Sequence, residues 1–337
     1  MDCWTSKNQH PFLTITGHYI DDAWVMHRQL VGFEHFDCAH TGEAIAKMVQ
    51  HVLVKNDILE KFMGLTGDSA SNNTKASELL GDILADSHNY EWSCSENYFH
   101  CASHVFNLVA QAVCEPFAFK VKVGRTGQVV SVDVEVPEAT PPPNEVFAAL
   151  AKISAVARVL HQSNNIWSRW KQLCEKNYPS QAVCTLITAA PTRWNSRYQQ
   201  IERVFRYRMC YQDITISEPS LRDYHLTKEE WVLLEWLHRV LFHINICSHY
   251  VGITRSPAIG YMIPSFGRLM DMLESDLDLE IKEEEKRKLE GAMKAASAKL
   301  KRYYLHTVTN PYYTFGLSKF SSFFYKSSLT HARCASS

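Results

Sequence analysis

The 337-residue sequence predicts an α/β sheet followed by an all-helical part. Strand-like and helix-like segments alternate up to about residue 118, and after about residue 146 nearly every segment has helical spacing. A stretch with a triple proline separates the two regions. Hydrophobic residues make up 46% of the chain, which is enough to form a sizeable core.

The first predicted elements are strands. β-branched and aromatic residues dominate "FLTITGHYI" at 12–20, and a second such run, "AWVMHRQLVGF", follows the turn residues Asp21 and Asp22. These two runs predict a hairpin. Only Met1 precedes Asp2, so Asp2 is either ordinary surface charge or the last residue of a strand whose earlier residues are missing.

Helices and short strands then alternate. The apolar stripe of the first helix consists of Ile45, Met48, Val49, Val52 and Leu53, and Thr41 is its expected N-cap. The short apolar run "KFMGLTGD" ends in Asp68 and is followed by a second helix. A brief strand is expected around residues 98–100, before a third helix. This alternation is typical of an α/β sheet.

The pattern changes after the third helix. Residues 119–145 contain alternating valines, acidic residues and Pro141–Pro143, which predicts a poorly ordered linker. Helical spacing returns at 145–177, 193–213, 227–251 and 281–304. We therefore divide the chain into an α/β part (1–118), a linker (119–145), a helical part (146–304) and a divergent tail (305–337).

The bulk composition narrows the class of protein. Lys and Arg total 35 against 36 for Asp and Glu, so a nucleic-acid surface would depend on local placement of charge. Ten cysteines without an apolar leader segment indicate reduced thiols in an intracellular compartment. No apolar run approaches the roughly 18 to 20 residues of a membrane-spanning helix, so a membrane protein is not expected.

Asp68 is the first candidate for chemistry. It follows a predicted buried strand and precedes small residues in "TGDSASNN", at the edge where open α/β sheets place ligands. Asp68 is equally suited to capping the next helix. A single carboxylate makes a poor Mg²⁺ site, and Asp2 is the natural second donor if it also ends a strand.

Cys101 and His104 form a CxxH motif at a strand-to-helix junction. Structural zinc needs four ligands, and no second pair lies nearby at zinc-finger spacing, so zinc is not expected. A buried cysteine and a hydrogen-bonded histidine at a helix start remain the simpler interpretation.

Two further segments carry charged or stacking groups. "PTRWNSRY" places Arg193 and Trp194 beside Asn195, a set that could stack on a base and hold phosphate, or anchor a core. The basic stretch at 286–302 mixes charge signs at helical spacing, which indicates a solvated helix face or, alternatively, a DNA contact.

Seven short segments occur together and in order, and jointly they resemble the catalytic region of hAT superfamily transposases. They are "DCWTS", "LTITGHYIDDAW", "HTGEAIA", "TGDSASNN", "CASHVFNLVAQAV", "PTRWNSRY" and "LTKEEWVLLEWL". The resemblance extends over nearly the whole chain, to about Tyr304. Each segment alone is weak evidence, and their occurrence together in this order is what supports the resemblance.

The resemblance implies a ribonuclease H-like mixed sheet interrupted by a large all-α insertion, acting in cut-and-paste DNA transposition. In that family three acidic residues bind two divalent metal ions, Mg²⁺ or Mn²⁺. Asp2 corresponds to the first acid and Asp68 to the second, so the ligand role of Asp68 now precedes the cap. Cys101 and His104 match the family's CxxH, which supports the active site.

The resemblance also implies DNA contacts and a location. Trp194 matches the family's insertion-domain tryptophan, which stacks near the cleavage site, and Arg193 and Asn195 flank it. The partner implied is transposon-end DNA, and the location implied is the nucleus.

The sequence departs from the family in several places. The third acid, a glutamate, is not assignable: the glutamates after the linker that come into question are Glu274, Glu280 and Glu283 to Glu285. A BED-type zinc finger before Met1 and the dimerisation segment are not found. The first strand is expected to be missing, which would leave the sheet incomplete and the fold marginally stable.

These departures give two functional expectations. The first is a truncated hAT-family transposase-like protein that has lost its ancestral cleavage activity. The alternative is a non-catalytic, domesticated remnant that binds DNA or protein.

Overall fold

The computed structural model describes residues 1–6, 8, 10–35, 41–117, 148–189, 194–252 and 258–318. The chain divides into two compact units. The sheet unit comprises Met1–Phe106, Ser248–Gly267 and Leu300–Ser337, and the helical unit comprises Asn107–Cys247 and Arg268–Lys299. The predicted linker and the tail beyond residue 318 lie outside the described residues.

The sheet unit contains five described strands. They are β1 (Asp2–Thr5), β2 (Pro11–Ile20), β3 (Met26–His35), β4 (Leu65–Gly67) and β5 (Tyr98–His100). β1 and β3 both pair with β2 in antiparallel fashion, whereas β4 and β5 are parallel. The predicted hairpin and the brief strand at 98–100 are therefore confirmed.

The hairpin turn is held by the carboxylate of Asp21. Its Oδ1 accepts hydrogen bonds from the backbone N–H groups of Ala23 at 3.0 Å and Val25 at 2.8 Å. Its Oδ2 lies 2.7 Å from Nε2 of His27. These bonds position Trp24, which has a left-handed φ of 63° and is 87% exposed at the tip.

The strand that contains Asp2 is present, so the prediction that it is missing is wrong. Asp2 begins β1 instead of ending it, and pairs with Thr14 of β2. The three residues after Asp2 are Cys3, Trp4 and Thr5, and they extend the pairing as far as Pro11. β-branched and aromatic residues favour a strand, which explains why the strand continues after Asp2.

Met1 connects the antiparallel strands with the parallel pair. Its amino group donates a hydrogen bond to the carbonyl oxygen of Thr66 in β4, with the two atoms 2.6 Å apart. The start of β1 therefore lies beside β4, while β1–β3 and β4–β5 form two separate hydrogen-bonded sheets.

The first half contains four described helices, of which the sequence pattern predicts all but the short α3. They are α1 (Gly42–Lys55), α2 (Ser71–His88), the short α3 (Cys94–Asn97) and α4 (Ala102–Cys114). Thr41 caps α1 as predicted, since its Oγ1 accepts a hydrogen bond from the N–H of Ala44 at 3.2 Å.

The core of the sheet unit lies between β2 and the two helices α1 and α2. The buried side chains of this core are Leu13, Ile15, Ile45, Ala46, Val49, Val52, Leu53, Leu65, Ala76, Leu80, Leu84 and Tyr98. The predicted stripe of α1 supplies half of the buried helical residues. Because β2 is held by its buried face against α1, the pairing of β1 with β2 has a fixed register.

The second half is helical, as predicted. Its helices are α5 (Ala149–Gln162), α6 (Asn164–Asn177), α7 (Trp194–Arg206), α8 (Arg208–Ser217), α9 (Lys228–Val251), α10 (Met262–Leu273) and α11 (Glu283–Thr309). Helix α10 was not predicted, and neither was the short helix at residues 311–318. No helix in the described part of the chain is both long and apolar enough to cross a bilayer.

A buried ion pair lies inside the helical unit. Nζ of Lys152 in α5 is 2.9 Å from the carboxylate of Glu230 in α9, and these residues are 5% and 1% exposed. Glu230 also accepts a hydrogen bond from the N–H of Thr227, whose Oγ1 accepts one from the N–H of Glu230. This reciprocal arrangement is a capping box that fixes the start of α9.

Gly32 of β3 provides a test of how closely the sheet packs on α1. A Cβ at this position would lie 2.9 Å from Cγ1 of Val52, which is fully buried. We expect Gly32→Ala to lower the free energy of unfolding by about 1 to 3 kcal/mol through overpacking.

Gly291 in α11 is the matched control, because an added Cβ there meets nothing within 4 Å. Gly291→Ala should raise stability by about 0.5 to 1 kcal/mol through helix propensity. Urea unfolding of both variants measures the two effects, and equal shifts of the same sign would contradict this packing.

Candidate functional site

The first candidate residue, Asp2, lies in β1 with an exposed side chain. The Thr14 hydroxyl donates to its backbone carbonyl at 3.5 Å, within the β1–β2 pairing. Because side chains alternate along a strand, Asp2 and Trp4 share the face opposite to Cys3, which packs against the core.

The second candidate, Asp68, directly follows β4. Its Oδ1 accepts hydrogen bonds from the N–H of Ala70 at 3.0 Å and from Nδ2 of Asn73 at 2.6 Å. The N-cap residue of α2 is Ala70, not Asp68. The carboxylate therefore holds the turn that precedes α2, and its position at the carboxyl end of a parallel strand is the one predicted from sequence.

The charges of Asp2 and Asp68 both act on Met1 and Cys3. Burial lowers the pKa of the Met1 amino group, while the charges of Asp2 and Asp68 both act in the opposite direction. Burial raises the pKa of the Cys3 thiol to about 11, and the same two carboxylates raise it further. Both effects require Asp2 and Asp68 to lie near the same groups.

The CxxH motif lies at the same edge of the sheet. The N–H of Cys101 donates to the carbonyl oxygen of Gly67 at 2.8 Å, which extends the β4–β5 pairing by one residue. The N–H of His104 donates to the carbonyl oxygen of Cys101 at 3.0 Å, in the first turn of α4. Both side chains are half-buried.

The described residues offer few metal ligands at this edge of the sheet. Within the described ranges there is no group of three or more His, Cys, Asp and Glu side chains that could hold a metal ion. Two carboxylates with water and a phosphate can still complete a Mg²⁺ shell, because this ion is usually held by one or two carboxylates plus substrate phosphates. Asp2, which is exposed, and Asp68, which directly follows β4, are the candidates for that role.

Tyr98 supports the position of Asp68 and was not identified from the sequence. Its side chain is 1% exposed, and its hydroxyl donates to the backbone carbonyl of Asp68 at 2.7 Å. Burial, and then the charge of Asp68, raise the pKa of Tyr98. The phenol therefore remains a hydrogen-bond donor that fixes the backbone from which the carboxylate projects.

His100, the last residue of β5, lies among aromatic rings from two parts of the chain. Its ring centroid is 5.3 Å from that of Tyr98, 5.2 Å from that of Tyr303 and 5.1 Å from that of His306. Burial lowers the pKa of His100 to about 4, and the positive charges of His306, Arg302 and His104 lower it further. The imidazole is therefore neutral at physiological pH.

The segment that follows the helical unit returns to β5. Rings of Tyr312 and Tyr313 contact Phe99 with centroid distances of 5.8 and 5.5 Å. Asn310 is 2% exposed, and its Nδ2 donates to the backbone carbonyls of Ser95 at 3.2 Å and Glu96 at 2.8 Å. Residues 300–318 thus form a returning segment, and the sequence resemblance implies the third acid on a helix that follows the insertion in this way.

The returning segment carries no carboxylate. The whole stretch from residue 291 to residue 337 lacks Asp and Glu, and residues 300–318 present Lys301, Arg302 and His306 instead. The glutamates in question, Glu274, Glu280 and Glu283 to Glu285, all belong to the helical unit. Of these, Glu274 accepts a hydrogen bond from Ser297 and Glu285 accepts one from the N–H of Lys282.

The predicted DNA-stacking cluster belongs to the helical unit. Arg193 lies outside the described residues, Trp194 begins α7 and is 7% exposed, and Asn195 is exposed. Trp194 is therefore a core residue of the helical unit, which agrees with the interpretation of this segment as a core anchor.

Family models match both parts of the chain. Residues 1–94 match the ZBED1 RNase-like domain, and residues 99–240 match the ZBED1 RNase-like helical domain. The boundary between the two matches falls just before β5 begins.

Three relatives illustrate the similarity. The Putative AC transposase of Zea mays is 24% identical over 279 residues, covering 81% of this chain and 30% of the relative. The Putative transcriptional regulator tpeD of Talaromyces stipitatus is 25% identical over 239 residues, covering 70% and 27%. The Zinc finger BED domain-containing protein RICESLEEPER 1 of Oryza sativa subsp. japonica is 21% identical over 258 residues, covering 75% and 31%. The chain thus spans under a third of the length of these relatives.

Asn310 allows the attachment of the returning segment to be tested. We expect Asn310→Ala to lower the free energy of unfolding by about 1 to 3 kcal/mol, because it leaves two carbonyls of α3 without their donor. Thr309→Ala is the matched control, since the exposed Thr309 hydroxyl bonds only within its own helix. Thermal unfolding compares the two, and equal losses would show that Asn310 is not an anchor.

The lowered pKa of His100 predicts a specific pH dependence. The unfolded chain binds a proton at this histidine below its ordinary pKa of 6.5, whereas the folded chain does so only near pH 4. Stability from the neutral ring is therefore complete above pH 6.5 and is lost as the pH falls towards 4.

Urea unfolding between pH 7 and pH 4 measures this effect. We expect His100→Phe to flatten the decline, whereas His51→Asn, at an exposed position of α1, should leave it unchanged. A wild-type slope that persists in His100→Phe would assign the pH dependence to other groups.

Proposed function

The chain belongs to the hAT-superfamily transposase-like proteins, and on that basis we propose that it binds DNA phosphates through a divalent cation held by Asp2 and Asp68. The observation that carries this proposal is the adjacency of β1 and β4, made by the hydrogen bond from Met1 to Thr66. It places one carboxylate on each of two neighbouring strands.

The finer features of the fold belong to this proposal as well. Three antiparallel strands, with a hydrogen bond from Met1 to the parallel pair β4 and β5, support a ribonuclease H-like sheet. The helical unit then corresponds to the insertion of that fold, since the sheet unit resumes at Ser248–Gly267 and again at Leu300. Asp2 and Asp68 occupy the positions of the family's first two acids.

The chemistry of the site follows from its donors. When bound, Mg²⁺ or Mn²⁺ would neutralise phosphate charge and so hold the DNA backbone at this edge of the sheet. Asp2 and Asp68 supply the anionic oxygens, Tyr98 holds the backbone of Asp68, and Arg302 adds positive charge to the neighbouring helix.

We propose that these 337 residues bind DNA without cutting it by themselves. Two-metal cleavage in this family uses three acids, and residues 291–337 contain none to complete the set. A site built from two carboxylates can share one cation with a phosphate but cannot clamp both the attacking and the leaving oxygen.

A second candidate function is metal-independent DNA binding, as in a domesticated regulator. The relative named as a putative transcriptional regulator, similar over 70% of this chain, favours this alternative. In that case the helical unit would carry the interaction and the carboxylates would be dispensable. Both candidates imply a nuclear protein with DNA as its partner.

Asp68→Asn distinguishes the two functions. The substitution keeps Oδ1 as an acceptor for Ala70 and Asn73 but removes the negative charge. We expect Mg²⁺ to strengthen the binding of a short DNA duplex by about tenfold in the wild type and to have no such effect in the variant, because the shared cation is lost. Fluorescence anisotropy with and without a chelator measures this.

Asp86→Asn, at an exposed position of α2, is the matched control and should retain the Mg²⁺ effect. In a plasmid nicking assay with Mn²⁺ we expect no cleavage above the Asp68→Asn background. Affinity that is unchanged by the chelator would favour the metal-independent regulator, and Mn²⁺-dependent nicking would overturn the proposal of binding without cutting.

A further inference from the structure

Three cysteines lie close together in the helical unit, away from the candidate metal site. Cys174 belongs to α6, Cys210 belongs to α8, and Cys184 lies in the irregular segment that follows α6. Cys174 is 1% exposed, Cys210 is fully buried and Cys184 is half-buried. The thiols of Cys174 and Cys210 are hydrogen-bonded to each other.

The segment that carries Cys184 is fixed against the helices by backbone contacts. Nε1 of Trp170 donates to the carbonyl oxygen of Cys184 at 3.0 Å, and the Arg203 guanidinium donates to that of Thr185 at 2.9 Å. The Tyr207 hydroxyl donates to the carbonyl oxygen of Ala182 and is also hydrogen-bonded to the Cys184 thiol. Cys184 is thus held in place beside the other two thiols.

Cys184 also faces a cavity. The cavity has a volume of about 360 Å³ and is lined by Gln181, Ala182, Cys184, Arg206 and Tyr207. A small neutral oxidant can reach Cys184 through this space, whereas Cys174 and Cys210 are closed off from solvent. The arrangement therefore combines one accessible thiol with a buried pair.

We propose that Cys184, Cys174 and Cys210 form a peroxide-reactive thiol relay whose product is a disulfide between Cys174 and Cys210. The reactant is a hydroperoxide, and hydrogen peroxide is the simplest member of that class. The disulfide would covalently join α6 to α8. None of this depends on the DNA site.

The relay balances in three steps. The Cys184 thiolate attacks a peroxide oxygen, which forms a sulfenic acid and releases hydroxide. The Cys174 sulfur displaces the sulfenic oxygen as water, which forms a Cys174–Cys184 disulfide. Cys210 then attacks the Cys174 sulfur and releases the Cys184 thiolate. Overall, two thiols lose two electrons and one peroxide is reduced to water.

The electrostatics of the buried pair support Cys210 as the second nucleophile. The hydrogen bond from Cys174 lowers the pKa of Cys210 against the effect of burial, and the Asn177 amide, 3.9 Å from its sulfur, lowers it further. The same contact and burial raise the pKa of Cys174.

Peptide mass spectrometry of the full chain tests the relay after treatment with hydrogen peroxide and alkylation of the remaining thiols. We expect a cross-linked peptide containing Cys174 and Cys210. Cys184→Ser should slow its formation by about tenfold or more, because the accessible thiolate is lost. Cys210→Ser should instead accumulate the Cys174–Cys184 disulfide.

Cys94→Ser removes a half-buried cysteine of the sheet unit and should leave the rate unchanged. The wild type unfolded in urea controls for chance pairing, and its preference for Cys174 with Cys210 should disappear. An unchanged rate in Cys184→Ser would overturn the relay. Oxidation of Cys184 to sulfinic acid without a cross-link to Cys174 would overturn it as well.

Discussion

The sheet unit depends on one hydrogen bond, from the nitrogen of Met1 to the carbonyl oxygen of Thr66. On one side of it, β1, β2 and β3 form an antiparallel ladder, and on the other side β4 and β5 form a parallel one. This contact lies at the start of β1, the edge strand of the antiparallel sheet, and a shared core that includes residues of β2, β4 and β5 joins the two ladders as well. The hydrogen bond therefore matters for the proposed metal site as well as for the fold of the sheet unit.

The contact is supported by packing on both sides. Leu13 and Ile15 of β2 are buried against α1 and α2, so the antiparallel ladder cannot slip by one residue without exposing its apolar face. On the parallel side, the Tyr98 hydroxyl and the N–H of Cys101 hold the backbone around Gly67 and Asp68. Each carboxylate thus projects from a backbone that the core has already fixed, which is the condition for a precise site.

Local patterns in the sequence predict the parts of this structure that depend on neighbouring residues. The stripe of α1, its cap at Thr41 and the hairpin of β2 and β3 all follow from periodicity and turn chemistry. The position of Asp68 after a short strand follows from the same reasoning.

Contacts between distant segments could not be predicted in this way. The bond from Met1 to Thr66 and the meeting of His100 with His306 join residues that share no local pattern. β1 was wrongly expected to be lost because the residues before Asp2 were considered and those after it were not. Asp2 is held by the strand that follows it, through pairing with Thr14.

The charge of the returning segment bears on whether the chain binds DNA or also cleaves it. A catalytic two-metal site needs carboxylates around the reacting phosphate, because two divalent ions close together must be neutralised by anionic ligands. Here the segment that packs on β5 offers Arg302 and His306 instead, and their charges act on His100. The Arg302 guanidinium repels a second cation and attracts phosphate, whereas burial lowers the pKa of His306 and favours its neutral form. We therefore propose a DNA backbone bound through one shared cation rather than a pair of metal ions arranged for hydrolysis.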